Sequence, residues 1–140
     1  MSNPIQGATR TITDADLTVT TALPAADANV DSASLDFSAA STAALESVEL
    51  EISIPATPDL VEDKDITLTI QDSADDSTFA AVEELEALVV TGAAAAAGGA
   101  ATTRKYRLPS SAKRFINVNA AVEADGADNT GVSFTWRILS

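Results

Sequence analysis

The 140-residue chain contains no cysteine and no histidine. The first absence excludes disulfides, thiolate nucleophiles and thiolate metal sites. The second removes the side chain that titrates near neutral pH and the imidazole ligands common at zinc and non-haem iron. Aromatic residues are also few: Phe37, Phe79, Tyr106, Phe115, Phe134 and Trp136. Alanine, by contrast, occurs 28 times. A core built mainly from Val, Ile, Leu and small side chains buries little area per residue, so help from a second subunit is expected. No run of apolar residues reaches membrane-spanning length without a glycine or a charge, and the opening "MSNPIQGATR" has no apolar signal core.

Basic residues are scarce and unevenly placed. The net charge is −13, which favours solubility and disfavours non-specific contact with nucleic acid. Residues 1–103 hold 18 acids and two bases, Arg10 and Lys64, a balance of −16. Residues 104–140 hold six bases and three acids, a balance of +3. Arg104, Lys105, Arg107, Lys113 and Arg114 fall in one short band. That band is the candidate interaction surface, facing either a neighbouring copy's Glu49/Glu51 region or a larger acidic scaffold. A solvated strand face is the structural alternative.

The periodicity of the chain is that of strands. In "ESVELEISI", Val48, Leu50, Ile52 and Ile54 share one side, with Glu49, Glu51 and Ser53 on the other. Pro55 and Pro58 end it. "DITLTIQ" repeats the alternation over 65–71, and "VSFTWRIL" places Val132, Phe134, Trp136 and Ile138 in one row. Further strands are expected near 15–21, at 34–37 and on both sides of Pro109. Residues 78–91 are open to two readings: a helix, since "AAVEELEALVV" is rich in helix formers with Val82, Leu85 and Val89 at helical spacing, or two short strands around 79–83 and 87–91, favoured because the firm elements nearby are strands. "AADANVDSAS" reads as a loop. Residues 1–11 read as a flexible arm, 12–140 as one domain, and "GAAAAAGGAATT" over 92–103 as a long mobile loop that orders against something, with contact to a partner left open. Many short strands with Pro/Gly turns predict an all-β sandwich or barrel.

Catalytic signatures are sparse. The serines have no histidine partner or nucleophile elbow, and "GAAAAAGG" lacks the Lys and Ser/Thr of a phosphate loop. In "QDSADDSTF", Asp72, Asp75 and Asp76 lie within five positions. The stretch lacks calcium-loop spacing, and Asp residues initiate turns by bonding to backbone two residues on. A turn is the expected role, with a calcium or magnesium contact as the alternative, the more so if the turn meets the acidic "DGADN" at 125–129. Tyr106 and Trp136 offer rings that stack on a sugar in an adhesion module, or pack in a core as their inward rows suggest.

The segments "LTIQDSADDSTF", "VVTGAAAAAGG", "RKYRLPSSAKRFINVN" and "GVSFTWRIL" together resemble the capsid cement, or decoration, proteins of tailed bacteriophages. The likeness runs over about residues 12–139. In that pattern Asp72 and Ser73 match the strand-end turn, Arg104, Tyr106 and Leu108 the strand entering the "Y-x-L-P" step, and Arg114, Phe115 and Asn119 the following strand. The resemblance implies an antiparallel β-sandwich of jelly-roll type that often assembles as a homotrimer. It also implies binding to the major capsid protein on the outer surface of the virion head. It supplies no catalytic residue, cofactor, nucleic acid or membrane partner. A tail or head-completion protein is a structural alternative.

Overall fold

The computed structural model describes residues 18–36, 49–109 and 111–139. The expected N-terminal arm, the start of the first strand, Phe37 and Val48 lie outside the described residues. Within them there are ten strands and no helix: β1 Thr18–Ala22, β2 Ala28–Asp31, β3 Leu35–Asp36, β4 Glu49–Ile54, β5 Asp65–Ser73, β6 Ala80–Ala81, β7 Leu88–Thr91, β8 Thr102–Arg107, β9 Phe115–Val122 and β10 Ser133–Leu139. They make two sheets. One has the order β1-β10-β4-β8; the other runs β2-β9-β5-β6, with β3 on β9 and β7 on β5.

This order follows from rolling up one long antiparallel ribbon. Early strands pair with late ones in nested fashion: β1 with β10, β2 and β3 with β9, β4 with β8, and β5 with β6 and β7. Two further antiparallel pairings, β10 with β4 and β9 with β5, close the roll. The result is a jelly roll, an antiparallel sandwich of two sheets. Alternation decides which side of each strand faces the partner sheet. Leu50, Ile52 and Ile54 of β4, Ile66, Leu68 and Ile70 of β5, and Phe134 and Trp136 of β10 are all buried. Each such side chain contributes about 1.5–3 kcal/mol of burial, so these rows hold the sheets together.

One expectation from the sequence changes here, and another gains detail. The polar stretch "AADANVDSAS" contains the edge strand β2, whose small exposed residues carry almost no apolar alternation. Residues 92–103 carry backbone pairing of their own. Ala93 bridges to Gly98 across a tight turn at 94–97, and Gly99 exchanges two backbone hydrogen bonds with Thr57 of the same chain. The segment orders against its own 57–62 loop. Ala95 and Ala96 sit in the turn at φ 62° and 59°, a left-handed conformation that costs an alanine about 1 kcal/mol. β8 then begins at Thr102.

Candidate functional site

The three acids of the 71–79 stretch have three separate tasks. Asp72 is buried at the end of β5, and its Oδ2 accepts the backbone N–H of Lys113 at 3.0 Å, tying the 108–114 connection to the neighbouring strand. Asp75 Oδ1 accepts the backbone N–H groups of Ser77 and Thr78, both at 3.0 Å, and the Ser73 hydroxyl at 2.8 Å. Ser73 Oγ in turn accepts the N–H groups of Asp75 and Asp76. Asp76, at φ 61°, accepts the Ser34 hydroxyl. This is the turn geometry expected of the sequence. Among the described residues, no group of three or more acidic side chains is placed to hold a metal ion.

The hydrogen bonds to Thr78, Ser77 and Ser73 hold the Asp75 carboxyl down at about 2, below its ordinary 3.8. A depressed carboxyl contributes stability above its unfolded pKa and loses it as pH falls through the folded one. The Asp75 contribution is therefore complete above about pH 4 and is lost toward pH 2. Asp75→Asn removes this titration. Thermal unfolding midpoints of the native chain and the variant are expected to differ at pH 5 and to converge as pH falls from 4 to 2. A gap that stays constant over that interval would contradict the assignment.

The five bases singled out by the sequence do not form one patch. β8 is an edge strand, and its pleat sends alternate residues to opposite sides. Lys105 and Arg107 lie on the outer face of the four-stranded sheet, where Glu51 and Glu49 are their cross-strand neighbours. Arg104 lies on the Tyr106 side instead. Its guanidinium stands 4.9 Å above the Tyr106 ring and donates to Glu86 at 3.0 Å. Lys113 and Arg114 precede β9 at the end of the sandwich where β8 finishes. Arg114 forms a two-pronged pair with Asp36, at 2.9 and 3.0 Å, and covers the Phe115 ring.

Glu49 and Glu51, expected to meet a neighbouring copy, already have partners in the chain. Arg107 lies 3.5 Å from Glu49, and Arg137 donates to Glu51 at 2.9 Å. Exposed pairs of this kind are each worth about 0–1 kcal/mol, so they set surface pattern more than stability. Lys105 and Lys113 have no ion pair among the described residues. Arg137, which lies outside the basic band of the sequence, is the base that completes the zipper on this face. Its position two residues after Thr135 on an outward row was the available signal.

The outer face of the four-stranded sheet is thus a patterned polar surface. Glu49, Glu51, Lys105, Arg107 and Arg137 form its charged half, with a balance of +1. Thr18, Ser53, Thr103, Ser133 and Thr135 line a shallow depression of about 590 Å³ beside it. Tyr106 and Trp136 are both on the inner side, 6% and 0% exposed, and neither ring is available to stack on a sugar. Burial pushes the Tyr106 phenol up.

No protein-family model matches the chain, and no curated protein does. Solved structures do. The crystal structure of the PBSX exported protein XepA superposes with a TM-score of 0.53 and 16% identity, covering 90% of this chain and 38% of that one. The likeness is one of fold. A protein of the disulfide-linked pili that form Bacillus endospore appendages matches with a TM-score of 0.48 and 17% identity, over 88% of this chain and 86% of that one. The chain spans well under half the length of XepA.

Proposed function

We propose that this chain is a structural virion protein that binds the outer surface of an icosahedral phage head and stabilises it, with no catalytic role and no metal or cofactor. The observation that carries this reading is how the rolled sandwich uses its polar groups. The acids that offered catalysis or calcium binding serve the fold: Asp72 and Asp75 fix connections, and Glu49 and Glu51 zip the sheet face. What remains is a stiff body with a flat polar face. The sequence resemblance to capsid cement proteins supplies the partner, the major capsid protein, and the expectation of a homotrimer. XepA, a fold neighbour, is an exported protein, which agrees with a location outside the cell or on a particle surface.

Within this reading, Lys105 and Lys113 are the bases that reach an acidic shell. Their charges are not already engaged by a described carboxylate, and charge complementarity across an interface acts chiefly on encounter and register. A rigid body with several weak contacts per copy gains strength when copies are joined.

The test is to add purified protein to undecorated heads and image them. Ordered density on the outer head surface, at a defined copy number, is the expected result. The Lys105→Glu, Lys113→Glu double variant should need roughly tenfold more protein per reversed charge for half occupancy. Density at the tail alone would place the chain among other virion parts. No density on either would overturn the reading.

A further inference from the structure

Every sandwich that is not a closed barrel leaves edge strands whose outward N–H and C=O groups are free to pair with another chain. Among the described residues the edges are unequal. β8 carries Arg104, Lys105 and Arg107. β2 follows Asp27 and ends on Asp31. β7 has no charge of its own, but it is four residues long, with Glu86 just before it and Asp65 paired to Thr91 at its end. β1, "TVTTA", has no charge, no proline and no glycine.

The register of β1 shows which of its groups point out. Leu23 N–H donates to Val132 C=O, continuing the pairing of β1 with β10. Bonded and non-bonded pairs alternate in an antiparallel ladder. Thr21 and Val19 therefore bond to β10, while Thr18, Thr20 and Ala22 turn their backbone N–H and C=O outward. The side chains of those same three residues are exposed.

We propose that β1 is a self-association edge, on which β1 of a second copy docks antiparallel about a two-fold axis through Thr20. The pattern is complementary to itself. Thr18 meets Ala22 of the partner subunit, Thr20 meets its own equivalent, and Ala22 meets Thr18 of the partner subunit. Each such pair exchanges two backbone bonds. Thr20 side chains face each other on the outer sheet surface, a favourable cross-strand pair. Pro24 lies just beyond the strand and limits its length.

Charge and length favour this edge over the others, since β6, the uncharged end strand of the second sheet, has only two residues. Two chains of −13 repel over most approaches. β1 adjoins the outer face whose charged residues balance at +1, so the paired strands themselves add no carboxylate to the contact, the nearest in sequence being Asp16, two positions before Thr18. Paired β1 strands join two four-stranded sheets into one of eight. The buried area is small, so the contact is weak and concentration-dependent. Net repulsion between the chains means that added salt tightens it; a contact made of opposite charges would loosen instead. This two-fold contact is separate from the three-fold grouping expected on the head.

Sedimentation of the purified chain from about 10 μM to about 1 mM, at low and moderate salt, tests the proposal. A monomer–dimer equilibrium that strengthens with salt is expected. In ¹H–¹⁵N spectra over the same range, the amides of Thr18, Thr20 and Ala22 should shift, and those of Val19 and Thr21 should not. Thr20→Pro removes the outward N–H without touching a bond to β10 and should weaken dimerisation by at least about 100-fold. Thr20→Lys sets like charges opposite each other and should do the same if the proline disturbs the fold. Thr103→Lys, on β8 at the far side of the sheet, should associate like the native chain. A chain that stays monomeric at about 1 mM, a trimer indifferent to the Thr20 variants, or shifts that favour Val19 and Thr21 would overturn the proposal.

Discussion

Replacing Ser32 with alanine is expected to lower the free energy of unfolding by about 2–6 kcal/mol. Few single hydroxyls matter this much, and the reason is where this one sits. Ser32 follows β2 and is 6% exposed. Its Oγ accepts the indole N–H of Trp136 at 2.9 Å and the backbone N–H of Val118 at 3.0 Å, and it donates to the Ala33 carbonyl at 2.9 Å. Trp136 belongs to β10 in one sheet, Val118 to β9 in the other. One oxygen therefore serves a donor from each sheet inside a core where both residues are 0% exposed. Alanine leaves two buried donors unpaired, and each lost partner costs about 1–3 kcal/mol. Denaturant unfolding of the variant measures the loss. A double-mutant cycle with Trp136→Phe separates the indole bond from the backbone bond. Ser32→Ala should cost about 1 kcal/mol less when the indole N–H is already gone. A loss below about 0.5 kcal/mol in the native background would show that water or a rearranged rotamer satisfies the donors.

The Ser32 contact also marks the limit of what the sequence discloses. Strong alternation made β4, β5 and β10 legible, because a period of two puts every second residue in the core. Trp136 was recognisably inward for the same reason. Its polar partner was not, since Ser32 lies 104 positions away in a stretch of small polar residues. The same stretch hides β2, an exposed edge strand with no apolar row for periodicity to detect. The basic band was legible as composition only. Residues adjacent in sequence on a strand face opposite ways, so Arg104 parted from Lys105, and the turn after Leu108 carried Lys113 and Arg114 to another element. The acids of "QDSADDSTF" were legible as a turn because Asp75 acts locally, on backbone two and three residues ahead. The long-range bond from Lys113 to Asp72 had no such local sign.

Gly92→Ala is the second large effect, expected to destabilise by about 3 kcal/mol or more, at or beyond the upper end of overpacking costs. Gly92 stands where β7 gives way to the alanine-rich hairpin. Its N–H donates to Lys64 C=O at 2.9 Å, and its own carbonyl accepts the N–H of Asp63 at 3.0 Å. These bonds clamp it against the 61–64 turn so closely that a Cβ would lie 2.1 Å from the Val61 carbonyl oxygen and 2.7 Å from its carbon. The obstacle is backbone, so no side-chain rotation relieves it. The strand must withdraw, and both hydrogen bonds stretch with it. Leu60, wholly buried in the same turn, is then pulled from the core. Low-complexity composition thus conceals a stereochemical requirement: in "GAAAAAGG" the alanines occupy the exposed tip, while the glycines stand where the chain touches itself. Gly131→Ala is the control, because nothing lies within 4 Å of its added Cβ, and its cost should stay within about 0.5 kcal/mol. Thermal unfolding of the two variants beside the native chain decides the matter. Equal midpoints for Gly92→Ala and Gly131→Ala would mean that the 57–62 loop yields freely, and that the hairpin is not anchored as described.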